Sequence, residues 1–134
     1  LIPKMVERKH GQLVIISSLA GMRGLASSPA YSASKAAVRV LGEGLRGWLA
    51  PSGVNVNVVC PGFIRTPLTD VNPYKMPFLM EVDYAARVIA EGLGKNKPRI
   101  AFPWQLYFPL LIANMLPLCI IDPLIARLPG KPGL

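Results

Sequence analysis

Cysteine, histidine and charge are all scarce in this chain of 134 residues. It has two cysteines, Cys60 and Cys119, and one histidine, His10. With no CxxC pair and no Cys/His cluster, neither a disulfide framework nor a metal site organises the fold. Both cysteines lie in apolar runs and read as small buried hydrophobes of a reducing compartment. A Ser-His-Asp hydrolase would have to use His10, which sits in "ERKHGQ" just before a strand and reads as solvated.

Charge is thin: 16% of residues are charged and 51% are hydrophobic, which excludes a disordered polyelectrolyte. Acidic residues are scarcest, 7 against 15 Lys and Arg, for a net charge of +8 and a pI near 9.9. The basic residues are scattered (Lys4, Arg8, Lys9, Arg23, Arg39, Arg46, Arg65, Arg87), and no run exceeds Arg8-Lys9-His10. That distribution argues against a nucleic-acid partner and suits a cofactor or substrate carrying phosphates. The opening "LIPKMVERKHG" lacks the apolar core of a secretory signal. It starts with Leu and reads like the last turns of a helix. The expectation is a piece of a longer, cytoplasmic protein.

What is present begins with "GQLVIIS", Gly11 to Ser17, an apolar β-branched run suited to a strand buried on both faces. "SLAGMRGLASSP" follows as a Gly/Ser-rich loop. From Tyr31 to Leu49 the period becomes helical, with Val38, Leu41, Leu45 and Trp48 forming one apolar stripe. "PSG" at 51–53 stops that helix. "VNVNVVC", Val54 to Cys60, is the next strand, ending in the loop "PGFIRTPLT". A second helix is expected over Val82 to Leu93 with Asp83 near its start, then a short strand over Arg99 to Phe102. Strand, helix, strand in this order implies a parallel α/β sheet.

The last third has no charged residue between Ile100 and Ile121. That is about the length of a membrane span, but Pro103, Pro109 and Pro117 interrupt it. Three readings stay open for 100–121: a pocket cover or subunit interface, a membrane-surface contact, and a true span.

One motif is a decoy. "GEGLRG", Gly42 to Gly47, fits G-x-G-x-x-G, but it lies inside the first long helix rather than between a strand and a helix. Gly42, Gly44 and Gly47 are expected instead to let another helix approach closely.

The stronger signal is a constellation. In open parallel sheets, ligands bind beyond the carboxyl ends of the strands. Ser18 lies just past the first strand and Pro61-Gly62 just past the second. Tyr31 and Lys35, four residues apart, share one face at the start of the connecting helix. A free phenol is a poor proton donor and acceptor at neutral pH, and a nearby ammonium favours its phenolate. Such a phenol can give a proton to a carbonyl oxygen or take one from an alcohol, with Ser18 hydrogen-bonding the same oxygen. No side chain carries a hydride, so the set implies a cofactor.

These residues resemble the short-chain dehydrogenase/reductase family. "GQLVIISSLAG" is similar to its serine-bearing strand and loop. "YSASK" matches its Tyr-x-x-x-Lys motif, and "VNVVCPGFIRTPLT" its strand and Pro-Gly cofactor loop. Together the three span Gly11 to Thr69. The resemblance implies an α/β fold, part of a doubly wound, Rossmann-like parallel-sheet domain over 1–99, with a hydrophobic C-terminal segment over 100–134. It implies Tyr31 as acid/base, Lys35 tuning it and binding the nicotinamide ribose, and Ser18 positioning the carbonyl. It implies that Pro61, Gly62, Ile64 and Thr66 line the nicotinamide end of NAD or NADP. The helix after the tyrosine would pack in a homo-oligomer, giving the three glycines and Trp48 a purpose, and the tail would hold substrate preference. The family's glycine-rich turn, its NAD-or-NADP selecting residue and its catalytic asparagine are not in this sequence. The chain therefore matches the carboxyl half, and alone it is expected to expose a strand edge and bind cofactor weakly or not at all. The function expected is hydride transfer between NAD(P) and a carbonyl or secondary alcohol, with the apolar tail favouring a lipophilic substrate. The alternative is a catalytically incomplete fragment serving association or membrane contact.

Overall fold

The computed structural model describes residues 1–71 and 75–125. A short helix α1 (Ile2–Glu7) leads into strand β1 (Gly11–Ile16), and helix α2 (Pro29–Leu49) connects it to β2 (Val54–Pro61). A one-turn helix α3 (Pro67–Asp70) and helix α4 (Val82–Gly94) precede β3 (Arg99–Phe102). Helices α5 (Trp104–Met115) and α6 (Leu118–Ile125) follow. The strands form one parallel sheet in the order β1-β2-β3, with Gly11 opposite Val54 and Val58 opposite Arg99.

β2 is central and covered on both faces. Val54, Val56, Val58, Val59 and Cys60 are each at most 2% exposed, which is why the run is apolar without alternation. On one face, Val54 and Val56 pack with Leu49 of α2 and with Met5 and Val6 of α1, while Val58 and Cys60 pack with Leu106, Tyr107 and Leu110 of α5. On the other, Val59, Ile100 and Phe102 pack with Ala85, Val88 and Ile89 of α4. The result is a three-layer sandwich of helices, sheet and helix.

The strands and long helices fall where the periodicity places them, with small differences at their ends. α2 begins at Pro29 rather than Tyr31, because proline at the first helical position lacks only an N–H that has no partner there anyway. It ends through a turn at Ala50–Ser52 and Gly53, whose φ is +69°. A Cβ on Gly53 would lie 2.5 Å from the Lys9 carbonyl oxygen, so the stop needs glycine twice over.

Three expectations are corrected. The buried side of α2 is Ser32, Gly42 and Leu49, flanked by half-buried Lys35, Arg39 and Leu45. Of the expected stripe, Leu41 is 57% and Trp48 71% exposed, because the sheet selects small and long amphipathic side chains at its close approach. Secondly, Gly42 accommodates the sheet and not another helix: its Cβ would lie 2.6 Å from Val58 Cγ2 and 3.1 Å from Ile15 Cδ1. Around Gly44 and Gly47 there is open space among the described residues. Thirdly, Cys60 is buried, but Cys119 on α6 is exposed.

A polar cluster missed by the sequence reading sits inside the sheet. Asn57 on β2 is fully buried, accepts from Gln12 at 2.9 Å, and donates to Asn96 Oδ1 at 3.1 Å and the Lys97 carbonyl at 2.7 Å. It ties β1, β2 and the turn before β3 together, and every polar atom of the amide is used.

The apolar tail folds into two helices. Pro103 precedes α5, Pro117 separates α5 from α6, and Pro109 lies within α5. No helix among the described residues is long and apolar enough to cross a membrane, so nothing in the structure favours the span reading. α5 lays Leu106, Tyr107 and Leu110 on the sheet and leaves Trp104, Phe108, Ile112 and Met115 outward, from 54% to 84% exposed.

Candidate active site

The carboxyl ends of β1 and β2 lie side by side, with Ile16 opposite Val59 and the Ser17 N–H donating to the Val59 carbonyl at 2.7 Å. Just beyond, Ser18 caps a single helical turn over Leu19–Gly21, its Oγ accepting from the Ala20 N–H at 3.1 Å. The same hydroxyl donates to the Pro61 carbonyl at 3.4 Å, so the serine touches the end of the neighbouring strand.

The first turns of α2 are fastened to this rim by several polar ties. Ser17 Oγ donates to the Lys35 carbonyl at 2.7 Å, Arg39 Nε donates to the Gly21 carbonyl at 3.1 Å, and Ser32 Oγ accepts from the Leu25 N–H at 3.2 Å. A Cβ on Gly21 would lie 2.6 Å from the Lys35 carbonyl carbon. This close approach explains why "AYSASKAAV" is built from small residues.

Lys35 Nζ donates to the carbonyl of Ile16, the last residue of β1, at 3.4 Å. It stands 5.7 Å from the centre of the Tyr31 ring, within cation–π reach. The Tyr31 side is open: the residue is 49% exposed. Among the described residues the phenol oxygen has no hydrogen-bond partner, and the ammonium has only the long contact to Ile16. Both keep polar capacity for a bound group.

The Pro61–Thr66 segment divides. The Gly62 N–H donates to the Phe102 carbonyl at 2.7 Å, and a Cβ there would lie 2.9 Å from Pro103 Cδ and 3.4 Å from Leu19 Cδ1. The start of α5 therefore already requires glycine at this position. Ile64 bridges to Met80 and packs toward the α4 cluster. Thr66 caps α3, accepting from the Thr69 N–H at 3.3 Å while its own N–H donates to Thr69 Oγ1 at 2.7 Å. Ser18, Lys35 and Pro61 thus gather at one rim with Tyr31 beside Lys35, while Ile64 and Thr66 are engaged in holding the loop.

Beneath the rim runs a charged chain that the sequence did not reveal. Arg39 Nη1 pairs with Glu43 at 3.0 Å, Arg99 of β3 also donates to Glu43, and Arg99 Nη1 donates to the Tyr107 hydroxyl at 3.2 Å. Burial pushes the Glu43 carboxyl up, but the hydrogen bonds from Arg99 and Arg39 outweigh it and hold it below the ordinary carboxylate range. Burial raises the neighbouring Cys60 thiol, which keeps it protonated and inert. A pocket of about 380 Å³, lined by Phe78, Met80, Tyr84, Phe102, Trp104 and Gln105, opens beyond β3, on the far side of β2 from β1.

A parallel sheet wrapped by helices on both faces, with a loop serine and a lysine of the connecting helix bonded to the carboxyl ends of its strands, defines part of a doubly wound nucleotide-binding type of domain. The family model for short chain dehydrogenase matches residues 1–75. An uncharacterized oxidoreductase of Myxococcus xanthus is 45% identical over 128 residues, covering 96% of this chain and 51% of that protein. The ketoacyl reductase HetN of Nostoc is 47% identical over 101 residues, covering 72% of this chain and 35% of that one. A solved short-chain dehydrogenase from Streptomyces avermitilis superposes with a TM-score of 0.71 at 26% identity, covering 96% of this chain and 56% of that one. The chain belongs to the short-chain dehydrogenase family. It spans about half the length, or less, of these relatives.

Proposed function

We propose that this chain supplies the proton-handling side of an NAD(P)-dependent oxidoreductase acting on a carbonyl or a secondary alcohol. What supports the reading is that Ser18 and Lys35 each bond to the carboxyl end of a strand, at Pro61 and Ile16, and that Tyr31 stands beside Lys35 with its phenol free for a ligand. The donor set fits a nicotinamide nucleotide: an ammonium with unused donors suits ribose hydroxyls, and the rim is where such folds receive their ligands. When bound, the nicotinamide supplies or accepts the hydride. Tyr31 gives its proton to the carbonyl oxygen in reduction and takes it back in oxidation. Lys35 sets the electrostatics of that phenol, and Ser18 donates a hydrogen bond to the same oxygen and fixes its position.

The test is Tyr31→Phe in the full-length protein. Acid–base catalysis is worth about 10²–10⁴-fold, so turnover falls by at least that lower factor while the fold is kept. Turnover within tenfold of wild type refutes the role.

Two surfaces favour association. The outer face of α2 presents Val40, Leu41 and Trp48, 56–71% exposed, beside the open positions Gly44 and Gly47, and is the face we assign to a second copy of the chain. The outward stripe of α5, Trp104, Phe108, Ile112 and Met115, suits a membrane surface, where a tryptophan-bearing apolar stripe rests at the headgroup boundary. The apolar character of α5 also favours a lipophilic substrate. In a second reading the chain serves only such contacts and its chemistry is lost; the Tyr31→Phe comparison separates the two.

A further inference from the structure

The loop from Ser17 to Ser28 carries the proposed carbonyl-positioning serine; α2 holds one side of it through Arg39 and Ser32, and its other side meets the tail. Leu19 and Met22 are 3% and 6% exposed, packed with Leu106, Tyr107 and Leu110 of α5. Apolar packing of this kind holds the loop down but is non-directional, so it does not fix the rotation of the turn. Hydrogen bonds do. Asn114 Nδ2 donates to the Met22 carbonyl at 2.6 Å. Arg23 Nη1 donates to the Ala113 carbonyl at 2.9 Å, and Nη2 pairs with Asp122 at 3.4 Å.

The partners are suited to the task. Ala113 lies in the last turn of α5, where the helix end carries partial negative charge, and its carbonyl accepts from the Leu116 N–H at 3.3 Å. A guanidinium suits that charge and takes the second lone pair of the same oxygen. The Arg23 side chain is only 10% exposed, so these contacts stand in for water around its guanidinium. From Met22 the constraint reaches Ser18 through a short rigid turn: the Met22 N–H donates to the Leu19 carbonyl at 3.0 Å and the Gly21 N–H to the Ser18 carbonyl at 3.0 Å. Neither Arg23 nor Asn114 belongs to the sequence motifs of the site.

We propose that Arg23 and Asn114 are positioning residues, a clamp by which the end of α5 sets the orientation of Ser18. The proposal rests on the reading of Ser18 given above. The tail is then part of the catalytic geometry, and the α5–α6 junction is where changes in sequence alter turnover without touching the substrate.

The experiment compares Asn114→Asp, which keeps the shape but removes the donor, Arg23→Gln, and the conservative Arg23→Lys in the full-length protein. Ser18→Ala runs alongside. Hydrogen exchange at the Gly21 and Met22 amides reads the clamp without any activity, with the β2 amides as the control for the intact fold. The first two variants speed exchange at Gly21 and Met22 by about tenfold and leave β2 unchanged. They lower kcat by about ten- to a hundredfold, with cofactor KM within about twofold, because a small misplacement of an aligned group acts on the chemical step. Arg23→Lys recovers most of both losses. Unchanged exchange overturns the clamp whatever the activity. Faster exchange with unchanged kcat, while Ser18→Ala loses turnover, shows a tie with no positioning role and also overturns it. Full turnover in Ser18→Ala refutes the reading of the serine, and the proposal falls with it.

Discussion

Two glycines of one helix, Gly42 and Gly44, should respond in opposite directions to the same substitution. In Gly42→Ala the added methyl meets Val58 Cγ2 at 2.6 Å and Ile15 Cδ1 at 3.1 Å. Val58 is 1% exposed, on the central strand, and β-branched, so its χ1 has little freedom to yield. Overpacking of this kind costs about 1–3 kcal/mol, while replacing glycine inside a helix returns about 1 kcal/mol. The balance is a loss of about 1 kcal/mol. At Gly44 the new methyl meets nothing within 4 Å, so only the gain of about 1 kcal/mol operates. The two variants should therefore differ by about 2 kcal/mol. At about 2–8 °C per kcal/mol, the range that brackets a chain of 134 residues, their melting temperatures should separate by about 4–16 °C, on opposite sides of wild type. Thermal unfolding followed by circular dichroism at several protein concentrations is the assay. If Gly42→Ala raises the melting temperature as much as Gly44→Ala, the close approach of α2 to the sheet is wrong. If Gly44→Ala lowers it, and more so at high concentration, the open face is covered by a second copy.

The Glu43 carboxyl titrates below its ordinary range in the fold, so its contribution is present at neutral pH and lost as pH falls through that lowered value. Glu43→Gln should cost about 1 kcal/mol at pH 7, a modest figure because the group is partly exposed, and should flatten the acid side of the stability curve; an unchanged acid limb refutes the coupling to Arg39 and Arg99. Asn57→Ala should cost about 2 kcal/mol in urea unfolding, because it strips hydrogen-bond partners from Gln12, Asn96 and Lys97 around a fully buried site. A loss under about 0.5 kcal/mol would mean that water replaces the amide there.

Much of this molecule is decided by order along the chain. Continuous β-branched runs bounded by turns set β1 and β2, since a strand covered on both faces needs no polar alternate. The proline and small residues ahead of Tyr31 set the start of α2, and a four-residue step puts Tyr31 and Lys35 on one face. Of the glycines of "GEGLRG" only Gly42 makes a close approach, and to the sheet rather than a helix, because helix periodicity does not say which neighbour a face meets. The partners of the rim were likewise hidden. Gly21 and Arg39 lie 18 residues apart, Met22 and Asn114 lie 92 apart, and nothing local marks a contact made across such distances.

The sequence alone therefore determined the parallel α/β class and the shared helical face of Tyr31 and Lys35, because both follow from periodicity and side-chain type within short windows. Tertiary structure alone decided that Gly42 meets the sheet, that Gly62 is needed by Pro103, that Thr66 caps a helix and that the tail grips the serine turn. Each of these depends on which groups long-range packing brings within a few ångströms, and that information is carried by no single segment.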